Sequence, residues 1–502
     1  MSYDLKTLQN GSDIRGISLA GVRGENPNLT PKEAEMLSKG FLVWLCRKTG
    51  KPPADLKIAV GRDPRLSGEQ LKNGLFQGLA PYGVQALDCG LASTPAMFMS
   101  TVFPEYRCDG AVMITASHLP YNRNGFKYFD RSGGLNKSDI AQIISFAESG
   151  TDLPKAPEAE SAASCDLMKT YCAHLRRMIL DGVGRSKPLD GLKIVVDAGN
   201  GSGGFYAKDV LAPLGADVSQ SQFLEPDGMF PNHAPNPEDP KAMASVAAKV
   251  LAAGADFGLI FDTDVDRSAA VDGQGREIAR NGIVAMAAAL IADDYPGTTI
   301  VTDSITSNQL SVFLEQKGLK HLRYQRGYKN VINKAIALNE QGTDSQLAIE
   351  TSGHAAFKAN YFLDDGAYLA TKIVIKAAQL HARGKTLGAL ISGLESPLEA
   401  VEIRIPILCE DFGAYGDGVI ADLKEFVKNQ PDMAIVEPNY EGVRIAFKVG
   451  WCLLRKSLHE ALLPLNIESD LEGGCNKIRE TLSGFLSNYE QLDLTGLLGE
   501  MK

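Results

Sequence analysis

The sequence predicts an α/β protein, with three related α/β domains carrying mixed sheets and a C-terminal α+β domain around one central cleft. A short apolar strand recurs three times, as Leu56–Gly61 before Arg62-Asp63, as Leu192–Val196 before Asp197, and as Thr299–Thr302 before Asp303. Each copy is followed, tens of residues on, by a second buried strand that runs into a polar loop, at Thr115–His118, Asp262–Arg267 and Glu350–His354. Strands alternating with helical periodicity, such as that of Ser67–Leu79, make α/β units whose ligands sit at the strand ends. The last hundred residues differ: β-type alternation at Ala400–Ile405 and Val443–Phe447 marks a separate α+β domain.

At 502 residues the chain has room for three or four domains, and composition places the breaks. The Gly-, Pro- and Ser-rich stretch Glu148–Pro157 closes a first domain at 1–153. A second spans 158–277, beyond Gly273-Gln274-Gly275, and a third spans 278–394, through the helical segment Leu369–His381. The fourth, 398–502, follows the Ser396-Pro397 linker.

A net charge of -10 leaves no basic stripe to displace phosphate counterions, which excludes nucleic acid as a partner. The eight cysteines are scattered without a C-x-x-C pair and read as reduced thiols. The N-terminus has no apolar signal region, and the longest apolar run, Ile283–Ala292, is well short of a membrane span. The expected setting is cytoplasmic, with no membrane association; the sequence leaves the oligomeric state open.

Chemistry concentrates in the strand-end loops. Ser117 leaves the apolar run Gly110–Ile114 beside His118, and Lys127 returns a cation to the same place. A lone Ser-His pair is more often a polar turn. Asp262, Asp264 and Asp266 stand at alternate positions after Phe257–Phe261; clustered carboxylates repel, so a hard divalent cation, one Mg2+ per chain, is the simplest resolution, and the apolar strand in front disfavours the alternative of a solvated acidic turn. An EF-hand is excluded because Arg267 and Gly273 stand where its glycine and glutamate belong. Glu350 and Ser352 offer partners for vicinal sugar hydroxyls, and His354 can move a proton near neutral pH. Arg455 and Ser457, after Trp451–Leu454, suit a phosphate dianion, although a basic dipeptide is also a common solvated face. The turn Asn10–Gly16 contributes Arg15.

Together these loops resemble the alpha-D-phosphohexomutases, the family of phosphoglucomutases and phosphomannomutases, over essentially the whole chain. The family's T-A-S-H-N-P...N-G-F-K loop is matched from Thr115 to Lys127 with Leu119 for Asn, its D-x-D-x-D-R loop at Asp262–Arg267, and its G-E-x-S-G-H loop at Glu350–His354 with Ile349 for the leading Gly. The D-I-R-G turn at Asp13–Gly16 and F-P-N-H-x-P-N-P at Phe230–Pro237 are also present. The resemblance implies a phosphoserine at Ser117, which with Asp262, Asp264 and Asp266 holds Mg2+. It implies a hexose 1,6-bisphosphate that is both intermediate and activator, and interconversion of the 1- and 6-phosphates of glucose or mannose. Lys127 and His354 become candidate acid and base, and Arg15 and Arg267 support the transferred group. His118, Tyr328, Lys329, Glu350, Ser352, Arg455 and Ser457 meet the substrate.

Departures set the alternatives. The fourth-domain R-P-S-G/N-T-E-P loop reads Arg455-Lys456-Ser457-Leu458-His459-Glu460-Ala461, Ser12 replaces a tyrosine common in bacterial relatives, and Thr263 and Val265 replace metal-loop glycines. A phosphoglucosamine mutase uses the same machinery. A Mg2+ phosphatase with Asp262 as nucleophile wants Thr or Val where Asp266 stands, and a non-catalytic sugar-phosphate sensor is compatible with the altered fourth loop.

Overall fold

Gly110–Ile114 forms a strand buried at every position, as an unbroken apolar run flanked by turn formers requires. The structure, a computed structural model, describes residues 4–150, 152–156, 161–457 and 460–499. Thr151 and Pro157 of the first linker, and Leu458 and His459 of the fourth-domain loop, lie outside the described residues. Contacts divide the chain into two compact units, Met1–Asp293 with Ser352–Ser392, and Asp294–Thr351 with Gly393–Lys502.

In the first unit, Gly110–Ile114 lies parallel to Lys57–Arg62, which is parallel in turn to Gln85–Leu91. On its other side Gly110–Ile114 is antiparallel to Arg123–Asp130, which pairs with Asp13–Ile17. The sheet is therefore mixed, and its parallel strands deliver Asp63 and Thr115 to the same edge. Helices Pro31–Thr49 and Gly68–Leu79 pack on it around Phe41, Leu45, Val60, Leu75, Ile114 and Phe126. The first starts where its sequence signals it: Thr30 and Glu33 form a capping box, and Gly50 ends it in the left-handed region.

A second mixed sheet pairs Ile194–Asp197 parallel with Phe257–Phe261, and Phe257–Phe261 antiparallel with Ser268–Asp272. Asp239 caps the helix Pro240–Ala253 that covers it, accepting from the amides of Lys241 and Ala242. The apolar run from Ile283 is a buried helix, Asn281–Ala289, and no helix of the described residues is long and apolar enough to cross a membrane. Helix Gly366–His381 joins this unit, packing on Leu167–Val183, with the Tyr171 hydroxyl donating to Asp365 at 2.7 Å. The stretch read as a third domain is thus shared between the two units.

The second unit contains a parallel trio, Lys320–Tyr324, Thr299–Asp303 and Leu347–Ile349. It also contains an antiparallel sheet ordered Glu399–Pro406, Leu462–Ser469, Gly450–Leu454, Val443–Phe447, Met433–Ile435. Helices Phe412–Lys428 and Gly474–Leu486 share one core with that sheet through Leu423, Ile445, Leu465 and Ile478, which makes it the α+β region the alternation predicts.

Close approach of Asp13–Ile17 to Arg123–Asp130 depends on Gly125, where a Cβ would stand 2.1 Å from the Ile14 carbonyl oxygen and 2.9 Å from that of Thr115. Backbone cannot swing aside as a side chain can. Gly125→Ala should destabilise the first unit by about 1–3 kcal/mol in chemical denaturation, and an unchanged midpoint would show that the strands part more easily than this packing allows.

Candidate active site

Ser117 sits where the strand Gly110–Ile114 gives way to a loop, with its backbone in the left-handed region at φ 50°. A serine held there needs support. Thr115 supplies part of it, its hydroxyl accepting from the Ser117 amide at 3.0 Å while donating to Asp63 at 2.7 Å. Arg65 supplies the rest: its guanidinium donates to the carbonyls of Ser117, Leu119, Pro120 and Arg123 and is paired with Asp63 at 3.1 Å. Arg65 is 1% exposed and Asp63 fully buried, so the pair is a fixed internal brace.

Asp262, Asp264 and Asp266 are all buried, with one oxygen from each within 4.8 Å of the others. Asp264 Oδ1 and Asp266 Oδ1 accept no hydrogen bond among the described residues. A buried carboxylate oxygen without a donor is costly, and an all-oxygen trio of this kind fits a hard divalent cation. Burial, then repulsion from Asp266 and Asp264, pushes the Asp262 carboxyl well above its ordinary range despite the Arg267 guanidinium beside it. Burial acts on Asp264 and Asp266 too, but Lys127 holds both below the usual value. Val265 between them is buried at φ 68°, a left-handed conformation a β-branched residue resists, so the loop carrying the carboxylates is also strained.

The cations converge on this trio. Lys127 Nζ donates to Asp264 Oδ2 at 2.9 Å and to Asp266 Oδ2; burial opposes its charge, but the carboxylates raise its pKa well above the ordinary value. Arg267 Nη2 donates to Ser117 Oγ at 2.9 Å, to His118 Nδ1 at 2.9 Å and to Asp262 Oδ2 at 3.1 Å. Ser117 Oγ itself donates to Asp262 Oδ2 at 3.1 Å. Burial, with Arg267 and Arg15 nearby, lowers His118 to about 3, so its ring is neutral and acts as an acceptor. Burial would lower His354 as well, but Asp364 and Asp266 raise it to about 9. Arg15 donates to the Thr115 carbonyl and pairs with Asp13 at 2.7 Å. Ser352 Oγ is buried with no hydrogen-bond partner among the described residues.

In the second unit Glu350 accepts from the Gly327 amide at 2.6 Å, fixing the turn before Tyr328 and Lys329, which open the helix Tyr328–Glu340. Thr351 donates to Asp303 at 2.7 Å, so this residue is an internal anchor of the loop. Arg455 is buried at the end of Gly450–Leu454, and its Nε has no hydrogen-bond partner among the described residues. Burial, then the neighbouring charge of Arg326, lowers its pKa. The Ser457 hydroxyl accepts from the Glu460 amide at 3.3 Å, and Lys456 is drawn away to Asp417 and the Gly413 carbonyl.

Comparison with known proteins agrees with this geometry. Residues 10–152, 169–275 and 280–396 match the alpha/beta/alpha domains I, II and III of phosphoglucomutase/phosphomannomutase. A phosphomannomutase/phosphoglucomutase of Pseudomonas aeruginosa is 30% identical over 472 residues, covering 93% of this chain and 94% of its own. The chain belongs to the phosphoglucomutase/phosphomannomutase family. A phosphoglucomutase/phosphomannomutase of Thermococcus kodakarensis is 31% identical, covering 92% of this chain and 98% of its own. A solved family member from Burkholderia thailandensis superposes with a TM-score of 0.78 at 27% identity, covering 95% of this chain and 96% of that one.

Within this family member, sequence reasoning passed over Asp63, Arg65, Thr94 and Asn236. Thr94 donates to Asp264 through its hydroxyl, and Asn236 Oδ1 accepts from Arg267 at 3.1 Å. The available signal was Asp63 itself, a carboxylate at the end of an otherwise apolar strand. Because Asp63 and Arg65 compensate each other without solvent, Arg65→Met should cost about 3–5 kcal/mol of stability. Adding Asp63→Asn should recover part of that loss, and a double-mutant cycle showing strict additivity would contradict the brace.

Proposed function

We propose that this family member interconverts hexose 1-phosphate and hexose 6-phosphate, with glucose or mannose as the sugar, by passing a phosphoryl group through Ser117. The observation that carries the proposal is Ser117 Oγ held between Arg267 and Asp262, with two carboxylate oxygens in the same cluster that have no donor among the described residues. From phosphorylated Ser117 the phosphoryl group passes to the free hydroxyl of a hexose monophosphate, so the P–Oγ bond breaks as the new P–O bond forms. The resulting 1,6-bisphosphate turns over, and its other phosphate returns to Ser117. The same bisphosphate, added from outside, would activate unphosphorylated enzyme.

Asp262, Asp264 and Asp266 would hold one Mg2+, which supplies electrostatic stabilisation of the charge on the transferring group. Arg267 stabilises Ser117 Oγ as it departs, and neutral His118 keeps the guanidinium aimed by accepting from the same nitrogen. The transfer leaves one proton to be taken from the attacking hydroxyl and one to be returned to the departing oxygen, and Lys127 and His354 are the candidate base and acid; His354, raised to about 9, exchanges its proton the more readily, while the carboxylates hold Lys127 as a cation. Glu350, Ser352, Tyr328 and Lys329 would meet the sugar. Arg455, with Ser457, would grip the phosphate that is not reacting; a buried guanidinium nitrogen with no hydrogen-bond partner among the described residues, close to a second arginine, favours an anion there. In chain order, 1–153, 158–277, 278–394 and 398–502 would supply the phosphoserine loop, the metal loop, the sugar loop and the phosphate grip. The eight thiols, none in a disulfide, suit a reducing cytoplasm.

Mass spectrometry of the purified protein should find phosphate on Ser117. Ser117→Ala and chelator treatment should each abolish turnover, whereas phosphate found stably on Asp262, with Ser117→Ala active, would favour a phosphatase. Arg455→Ala should lower kcat/KM by about ten- to a hundredfold, matching a charge-assisted contact of about 1.5–3 kcal/mol. Ser117 should still become phosphorylated in that variant, and wild-type kinetics would remove Arg455 from the site.

A further inference from the structure

A chain of hydrogen bonds reaches Arg267 from a histidine that touches no reacting group. His233, in the turn Phe230–Pro237, places Nε2 at 3.1 and 3.0 Å from the two carboxylate oxygens of Asp197. Its Nδ1 is 2.9 Å from the Ala234 carbonyl oxygen. Asp197 also accepts from the Gly199 amide at 2.8 Å and from Gln222 Nε2 at 2.7 Å, so its oxygens act as acceptors on every side. With acceptors facing both ring nitrogens, every one of these contacts is met only when both nitrogens carry hydrogen, as in an imidazolium. The charged groups around the ring fit that charge: Asp197 from the strand Ile194–Asp197 and Asp239 from the cap of Pro240–Ala253. Burial opposes the charge, but these acceptors outweigh it and raise the histidine above its ordinary value.

The turn carries this constraint onward. The Ala234 carbonyl that accepts from His233 also accepts from the Asn236 amide at 2.8 Å, closing the bend that presents the Asn236 side chain. Asn236 Oδ1 accepts from the Glu238 amide at 3.1 Å and from Arg267 Nη1 at 3.1 Å. The other terminal nitrogen of Arg267 is the one that donates to Ser117 Oγ.

We propose that His233 is a positioning residue, held as a cation by Asp197 so that the turn it anchors sets Asn236 and, through Asn236, the Arg267 guanidinium against Ser117. Its effect on rate rests on the reading of Ser117 as the phosphoryl carrier. The protonated ring is the working form, so the contribution is present at low pH and is lost as pH rises through the raised value, when a lone pair comes to face an acceptor.

NMR of ring-labelled histidine in the full-length protein, with the His233 signal assigned by its loss in His233→Gln, should show an imidazolium at pH 7.5. Asp197→Asn should move that titration, and the alkaline fall of kcat that follows it, to lower pH by about one unit. Asn236→Ala should reduce kcat about tenfold with KM little changed, while the His233 titration stays where it was. A neutral His233 ring at pH 7.5, or wild-type kcat in Asn236→Ala, would overturn the proposal. Full turnover by Ser117→Ala would instead overturn the phosphoserine reading and leave the ring titration as it is.

Discussion

Three carboxylates buried within 4.8 Å of one another cannot all be ionised unless positive charge is brought to them. That constraint organises the first unit. Lys127 comes from a strand antiparallel to Gly110–Ile114, and Arg267 from the loop that carries the carboxylates. His354 is held on a hairpin partner by Asp364. Each cation has a second partner that fixes its aim, and Ser117 lies among them with one hydrogen bond given and one received. The Ser117 hydroxyl is placed by the same electrostatics that make the cluster tolerable.

The threefold repeat has a physical counterpart at the strand ends. Asp63 accepts from the Thr115 hydroxyl, and Asp303 accepts from the Thr351 hydroxyl, both at 2.7 Å. An acid closing one strand thus pins the loop leaving its parallel neighbour, in one case the loop of Ser117 and in the other that of Glu350–His354. In the second copy Asp197 holds His233 instead. There the acid holds the turn that precedes the helix Pro240–Ala253, and not the loop that leaves its parallel neighbour Phe257–Phe261.

Much of this was legible in the sequence because the decisive groups sit within a few residues of one another. Strand and helix assignments at Gly110–Ile114, Phe257–Phe261, Ser67–Leu79 and Ala400–Ile405 follow from period and turn chemistry alone. The Asp triplet and the Ser117 loop announce themselves by spacing. Arg65 does not, since an arginine in Arg62-Asp63-Pro64-Arg65-Leu66-Ser67 has the composition of a solvated turn, and only the fold buries it under a loop more than fifty residues away. Lys456 shows the converse: it stands beside Arg455 in a basic dipeptide but pairs with Asp417. Val265, a β-branched residue at positive φ, breaks a local rule at the functional loop, where strain is most often retained.

The central claim is that Ser117 carries phosphate between two positions of one sugar, and a label chase tests it most directly. Protein carrying isotopically labelled phosphate, mixed with unlabelled glucose 6-phosphate, should pass the label first into a hexose bisphosphate and then into hexose monophosphate, with little inorganic phosphate formed. Label released chiefly as inorganic phosphate, or left on the protein while glucose 1-phosphate accumulates, would contradict the account.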